Sequence, residues 1–458
     1  MGPRELERLI ASYDPLSQAE GAFLKIVLII YTAYLDRMHT TDQDDFDGLM
    51  QQAALLVQGG QNVFERKSGR GDLSVLKHIA IDEFQDFSEL FHQLISSIRK
   101  HNTNAHFFCV GDDWQAINGF AGSNLKFFQQ FEDYFESAIK LQISTNYRSK
   151  KRIVEAGNAL MYDKGKPARS SKSDSGNVLL GDLGKFQPKS FEDARFSGDA
   201  ISPSVRRIIN SVLKNGCNVV LLSRRNTIPW YVSFQNDRKR TDKGLDQFKE
   251  SICVDLPEEM AKKVSISTVH KYKGLEKDVV IILDAIQRSY PLIHPDWVFT
   301  RALGDHPETI VAEERRLFYV ALTRAVDTLF VITEKQSESS FLNDMQGFKF
   351  QSVQWLNYSP PATVESHKVV KVGNQEHKKP ATVHIKDQLK GTGYRWSATD
   401  WPSWNKVVSW DSLSLEKIMG ESWANTADGV EVRICSSNDN EITRYHINSG
   451  NWTEIKLA

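Results

Sequence analysis

The stretch AIDEFQDFSEL, from Ala80 to Leu90, ends an apolar run in two adjacent acids, Asp82 and Glu83. Open α/β sheets present ligands at the carboxyl ends of their strands, so paired carboxylates there can hold a divalent ion. In that place Asp82 would reach Mg²⁺ and Glu83 would polarise a water for attack on a phosphoanhydride. The same acids would also suit the N-terminal dipole of a following helix, and alone they do not choose between the two. Further along, VGDDWQAINGF brings Gly111 for a tight turn, Asp112 and Asp113 as acceptors, and Gln115 as a group able to sense a phosphate. STNYRS supplies Arg148, STVHKYKGLEKDVVIIL supplies His270, Lys271, Lys273 and Glu276, and EERRLFYVALTRA places Arg324 just before a strand. A lone arginine is usually a surface cation, whereas an ordered series of such signatures on strand ends is a pattern.

These residues need elements to carry them. Residues 1 to 60 hold helix-period apolar patterns, as in EGAFLKIVLIIYTAYLDRM and DFDGLMQQAALLV, and read as all-helical. From Lys77 the texture changes: KHIAIDE and AHFFCVGDD are short apolar runs separated by the helical FSELFHQLISSIRK, a strand-helix-strand unit that implies a parallel sheet. NVVLLSRRN, KVSISTVH, DVVIILDA and DTLFVIT repeat that texture and indicate a second α/β domain. Residues 162 to 204, rich in Ser, Lys, Gly and Asp, read as a long surface connection. Residues 359 to 392 hold prolines, histidines and six lysines between 368 and 390, a linker with a positive bias. The last 66 residues contain six of the ten tryptophans and read as a small β-leaning module. In a module of that size a tryptophan-rich pattern is more often a small core than a binding face.

The bulk numbers bound these readings. At 458 residues the chain is long enough for two or three domains, each with its own core. A formal net charge of −1 gives no bulk reason to expect nucleic acid or a membrane surface, so any basic surface is local. Cys109, Cys217, Cys253 and Cys435 lie far apart, without metal-ligand or disulfide-scaffold spacing, which fits a reducing compartment. Phe23 to Ala33 is apolar but about half the length that spans a bilayer. It reads as a buried helix, and the chain as cytoplasmic.

Together the motifs resemble those of the superfamily 1 DNA helicases of the UvrD/Rep type, over roughly residues 20 to 335. The resemblance implies two RecA-like parallel-sheet lobes, the first incomplete, with an N-terminal helical segment and the β-leaning C-terminal module. The boundaries expected are 1–75 for the helical segment, 76–150 for the rest of the first lobe, 151–345 for the second, 346–392 for a linker and 393–458 for the module. It implies ATP and Mg²⁺ as cofactors, with Asp82 on the metal and Glu83 as catalytic base. Gln115 would contact the γ-phosphate and couple it to DNA. Arg148 and Arg324 would act as arginine fingers, Glu276 would bond the ribose and Tyr147 would lie beside the base. On the DNA side it implies base stacking by Phe120, backbone contacts by His270 and Thr268, and a further contact by Arg224. The expected substrate is single-stranded DNA or a 3′-tailed duplex, with no membrane partner.

The sequence also departs from this family. No stretch reads G-x-x-x-x-G-K-[ST], the loop whose amides and lysine hold β- and γ-phosphates. SGRGDLS lacks the lysine, and DKGKPAR lacks the glycine spacing and the hydroxyl. By motif order the chain is expected to begin inside the first motor domain, to lack a central strand there, and to need a separate polypeptide carrying that loop. After Gln115 the family continues Ile-Tyr-Arg, whereas here Ile117 is followed by Asn118 and Gly119. That removes an aromatic and a cation near the DNA. The short gap between SRRN and VSISTVH implies a compact second lobe without a large insertion. Two other readings stay open: a DNA- or protein-binding module without turnover, and a truncated product.

Overall fold

The computed structural model describes residues 3–67, 69–188, 192, 196, 199–227, 244–253, 256–345, 347–360, 367–376, 380–397, 401–409, 413–436 and 440–456. The chain divides into two compact units, one of Met1–Leu180, Leu222–Arg224 and Thr268–Gln351, the other of Gly181–Leu221, Arg225–Ser267 and Ser352–Ala458. The architecture is mixed α/β with parallel strand pairs, as the alternating texture implied.

The first unit opens with helices Pro3–Ser12, Gln18–Thr41 and Phe46–Gln58. Ser17 and Asp45 cap the second and third: their side chains accept from the amides of Glu20 and Gly48, satisfying donors that have no partner within the helix. The helix expected over Phe23–Ala33 forms, but it is not buried. Of its apolar residues Leu24 is enclosed, while Ile26, Ile29 and Ile30 are more than half exposed. Its apolar residues run all round the cylinder rather than along one stripe, and its packing against Pro3–Ser12 and Trp297–Thr300 covers only part of it. At 24 residues it is long and apolar enough, by length and composition, to cross a membrane. Residues 61–75 add an antiparallel hairpin, Val63–Arg66 with Gly69–Asp72, to the segment expected as helical.

Next comes the strand-helix-strand unit. His78–Ile81 pairs in parallel with His106–Cys109, with Ile81 opposite Cys109, and helix Glu89–His101 connects them. That helix has Ser88 as its N-cap and Arg99, Lys100 and His101 in its last turn, each matching the helix dipole. Strand alternation places Ile79, Ile81, Phe107 and Cys109 against a core of Phe84, Phe87, Ile95, Ile98, Phe127 and Phe135. The other face, with Ala80 and Phe108, is open, and Phe108 is 69% exposed. Residues 138–144 run without regular structure, yet Ile139, Leu141 and Ile143 alternate at 83–86% exposure. That is the side-chain period of a strand with no sheet to join.

Lys277–Ile282 and Ala325–Thr333 form a second parallel pair, led into by helix Pro307–Leu322 with proline in its first turn. Val280 to Leu283 are fully buried, as expected of a parallel strand covered on both faces.

In the second unit, helix Ile201–Lys214 is capped by Asp199, and Arg207 is held in a buried ion pair by Glu192. This unit also holds a six-stranded antiparallel sheet in the order Arg395–Ser397, Ser403–Ser409, His367–Asn374, Val430–Ser436, Glu441–Asn448, Asn451–Ile455. Its core gathers Val370, Val372, Leu389, Tyr394, Trp423, Val432 and Ile447. Trp423 is fully buried, consistent with a tryptophan-rich core, and Trp410 lies outside the described residues. The stretch expected as a linker therefore contributes a central strand, His367–Asn374, and helix Lys386–Gly391. Lys371, counted as linker charge, alternates with the inward Val370 and Val372. Lys378 and Lys379 lie outside the described residues.

Candidate functional site

Asp82 and Glu83 follow directly on His78–Ile81, both exposed at its carboxyl end. The Asp82 carboxylate accepts from the Glu83 amide at 2.8 Å. Glu83 sits at φ 51°, a left-handed conformation unusual for a non-glycine residue. Such strain costs about 1–3 kcal/mol and clusters at functional sites. The turn directs Glu83 to two neighbours: Gln85 donates its amide to the carboxylate, and Lys273 Nζ lies 3.5 Å away.

Gln85, 1% exposed, extends this contact. Its Oε1 accepts from the backbone amide of Asp112 at 2.9 Å. A Cβ on Gly111 would lie 2.6 Å from that oxygen, so a glycine is required by the close approach. The Asp112 carboxylate then accepts from Gln115 Nε2 at 2.7 Å, and Gln115 Oε1 accepts from Arg324 Nη2 at 3.2 Å. One line of hydrogen bonds thus runs from Glu83 through Gln85, Asp112 and Gln115 to Arg324.

Arg324 follows the C-terminus of helix Pro307–Leu322, where the last carbonyls lack helical partners. It donates to the carbonyls of Val320 at 3.0 Å and Leu275 at 3.3 Å. Burial, reinforced by the charge of Arg148, lowers its pKa to about 10, which still leaves a cation at neutral pH. Arg148 is set by Asn146, whose side-chain oxygen accepts from the amides of Arg148 and Ser149, an Asx turn. Its guanidinium donates to Glu276 at 2.6 Å. Tyr147 beside it is 73% exposed.

A second group surrounds Phe120, which is 81% exposed with its ring edge-on to His270 at 6.0 Å. Burial, with Arg224 nearby, pushes the His270 pKa down to about 4, so the imidazole is neutral and can accept or donate. Asn118 and Gly119, where the family's aromatic and cation are missing, have partners of their own. Asn118 donates to Asp86 at 2.8 Å, and Gly119 donates its amide to Glu313 at 3.0 Å.

Two of the expected DNA contacts have partners within the chain. Arg224 is committed to Glu314, donating from Nε and Nη2 at 2.6–3.1 Å, and its amide donates to the buried Asp284. A buried carboxylate holds it more firmly than solvent would. Thr268 is 8% exposed and its hydroxyl accepts from the Lys271 amide, capping the turn after its strand. Gln85, Asp86 and Lys273 were not assigned roles from sequence. Their signal was the run of polar side chains in DEFQD and the lysine immediately before the GLE stretch.

The structure thus brings Asp82, Glu83, Gln115 and Arg324 to one region of the first unit, with Arg148 and Glu276 paired. Carboxylates, an amide and two guanidiniums are the groups that a metal-bound polyphosphate needs. Mg²⁺ is usually held by one or two carboxylates plus phosphates and water, and the exposed Asp82 suits that demand.

Two family models match the chain: the UvrD/REP helicase N-terminal domain over residues 5–136 and the UvrD-like helicase C-terminal domain over residues 223–336. DNA helicase IV of Escherichia coli is 27% identical over 352 residues, which cover 74% of this chain and 44% of that protein. A probable DNA helicase of Mycoplasma pneumoniae is 24% identical over 391 residues, covering 84% of this chain and 65% of that one. The ATP-dependent DNA helicase PcrA of Leuconostoc citreum is 28% identical over 148 residues, covering 32% and 19% respectively. The chain spans less than two thirds of the length of each of these relatives.

Proposed function

Because the chain belongs to the UvrD/Rep-type DNA helicases, we propose that it is part of an ATP-dependent motor. The motor moves 3′-to-5′ on single-stranded DNA or the 3′ tail of a duplex, in the cytoplasm. The observation that supports this best is the hydrogen-bonded line from Glu83 to Arg324 through Gln115, with the exposed Phe120 five residues beyond Gln115. ATP with Mg²⁺ supplies the phosphoanhydride whose cleavage drives movement. Asp82 holds the metal, Glu83 takes a proton from the attacking water, and Gln115 reads the terminal phosphate. Arg324 and Arg148 neutralise charge that develops in the transition state, a contribution of about 10³- to 10⁵-fold in related NTPases. Arg148 is released for that task once Glu276 turns to the ribose. Phe120 stacks on a base without sequence preference.

A phosphate cradle is the missing part, and no stretch of the 458 residues matches one. We infer that a phosphate-binding segment outside these residues adds a strand to the sheet of His78–Ile81 and His106–Cys109. The open Phe108 face and the unpaired alternation of Ile139, Leu141 and Ile143 support that reading. The alternative, a binding module without turnover, draws support from Arg148 being paired with Glu276.

The test is ATP hydrolysis by the full chain, with and without oligothymidylate, alone and mixed with a G-x-x-x-x-G-K-[ST] segment from a UvrD/Rep-type relative. DNA-stimulated hydrolysis is expected only in the mixture. Silence of the mixture would sink the motor reading, and turnover by the chain alone would remove the need for an added phosphate-binding segment.

A further inference from the structure

The loop Ala116–Phe120 is pinned at four successive residues and free at the fifth. Arg316 Nε donates to the Ala116 carbonyl at 2.6 Å. Ile117 is fully buried. Asn118 donates to Asp86, and Gly119 donates its amide to Glu313. Phe120 then projects into solvent at 81% exposure. A large aromatic held out in this way costs hydrophobic stabilisation that the fold does not recover. So much fixing of the preceding backbone serves presentation of the ring rather than packing.

The partners are themselves held. A Cβ on Gly119 would lie 2.5 Å from Glu313 Oε2, so the carboxylate is seated against the backbone at a distance that only glycine permits. The Asp86 oxygen that accepts from Asn118 also accepts from Lys273 Nζ at 2.6 Å, and Lys273 lies 3.5 Å from Glu83. The other Asp86 oxygen is buried with no hydrogen-bond partner among the described residues, an unfavourable arrangement that persists where function needs it.

We propose that Glu313 and Asp86 are positioning residues for Phe120: they fix the backbone of its loop so that the ring is presented to a nucleic-acid base. Asn118 and Gly119 stand where the resemblance expects an aromatic and a cation, and they tie the loop down through Asp86 and Glu313. Lys273 gives a second connection between Glu83 and the loop, separate from the one through Gln115. This rests on the reading above that Phe120 stacks on single-stranded DNA.

The test is anisotropy of a fluorescent 20-mer oligothymidylate with the full chain, which needs no hydrolysis. Phe120→Ala should weaken binding by about five- to hundredfold, the loss of one stacked base. Glu313→Ala should weaken it by about two- to tenfold, the loss of one hydrogen bond. Glu313→Gln retains an acceptor for the Gly119 amide and should restore binding to about the original affinity. Asp86→Ala should resemble Glu313→Ala. Because these residues act through Phe120, Glu313→Ala combined with Phe120→Ala should bind no worse than Phe120→Ala alone. Thermal melting of each variant separates loss of the loop from loss of the fold.

The proposal is overturned if Glu313→Ala binds as the unaltered chain does, if the two losses multiply in the double variant, or if Glu313→Gln fails to rescue. If Phe120→Ala itself binds normally, the DNA role of Phe120 falls and the proposal with it. If Phe120→Ala weakens binding and Glu313→Ala does not, only the positioning role falls.

Discussion

Arg324 donates to the side-chain oxygen of Gln115 at 3.2 Å, although 209 positions separate them in the sequence. Each residue has a second commitment. Gln115 donates to Asp112, and Arg324 donates to the carbonyls of Val320 and Leu275. On the function proposed above, movement of Gln115 toward a phosphate would break a bond to a guanidinium that is otherwise fixed, and occupancy at one end of the line would be felt at the other.

Replacement of Arg324 tests whether this line has structural weight. Arg324→Ala leaves the Val320 and Leu275 carbonyls without their donor in a buried place. The expected cost is about 1–3 kcal/mol, read as a lower urea midpoint. Arg324→Lys keeps the cation but cannot serve these acceptors and Gln115 together, so it should recover only part of the cost and still fail to support hydrolysis in the mixture. An Arg324→Ala chain with an unchanged midpoint would mean that the network carries no stability.

Gly111→Ala probes the other end. The added methyl group would meet Gln85 Oε1 at 2.6 Å and the Gln85 amide nitrogen at 3.0 Å. Gln85 would be driven from its bridge between Glu83 and the Asp112 amide, leaving buried polar groups unpaired. A destabilisation of about 1–3 kcal/mol is expected. Gln85→Ala removes the closest clash but leaves the residue-85 backbone nitrogen and Phe128 Cε2 at 3.0 Å, so the double variant should lose less than the sum of the two single losses. Additive losses would show that the glycine serves something other than Gln85.

The parts of this site that sequence revealed are those carried by local pattern. KHIAIDE and AHFFCVGDD read as strands because short apolar runs give way to polar residues, and the strands are there at His78–Ile81 and His106–Cys109. The role of Gln85 was not legible, because its two bonds reach Glu83 and Asp112 and only the fold brings these together. Arg224 was offered to DNA through the resemblance alone, and nothing in the sequence announces its pairing with Glu314, 90 positions away. His367–Asn374 was read as linker because its lysines suggested solvated charge, whereas the deciding feature was the alternation of Val370 and Val372 beneath them. The Gln18–Thr41 helix was legible as a helix, but an all-round apolar composition does not say what covers it.

Two buried groups give opposite pH dependences in the same window. The His270 pKa is lowered to about 4 by burial, so between pH 6.5 and 4 the unfolded chain binds the proton and the folded chain does not. Its contribution to stability is present above pH 6.5 and lost as pH falls. Burial raises the Asp284 pKa to about 6, against the opposing effects of its Arg224 and Ser223 partners. Between pH 4 and 6 the folded chain holds a proton that the unfolded chain has released, so its contribution is lost as pH rises. The two oppose each other. His270→Gln should make the chain more stable as pH falls from 6 to 4, and Asp284→Asn should make it less so, by urea unfolding at each pH. Parallel curves for both variants would contradict these assignments.

The open face of the His78–Ile81 and His106–Cys109 pair yields the last prediction. Phe108 and the alternating Ile139, Leu141 and Ile143 are large apolar side chains in water, and among the described residues each strand of the pair has a neighbour on one edge only. A free parallel edge invites strand addition, and charged residues there discourage it. Phe108→Lys and Leu141→Lys should therefore leave the melting temperature of the isolated chain within a few degrees, because neither side chain is buried. Both should lower its binding of an apolar dye and raise its solubility. In the mixture with a G-x-x-x-x-G-K-[ST] segment, each should abolish complex formation on a sizing column and DNA-stimulated hydrolysis together. If the complex forms unchanged in both variants, the segment does not seat on this face. A lysine variant that turns a dimer into a monomer in the absence of any segment would instead assign the face to a second copy of the chain.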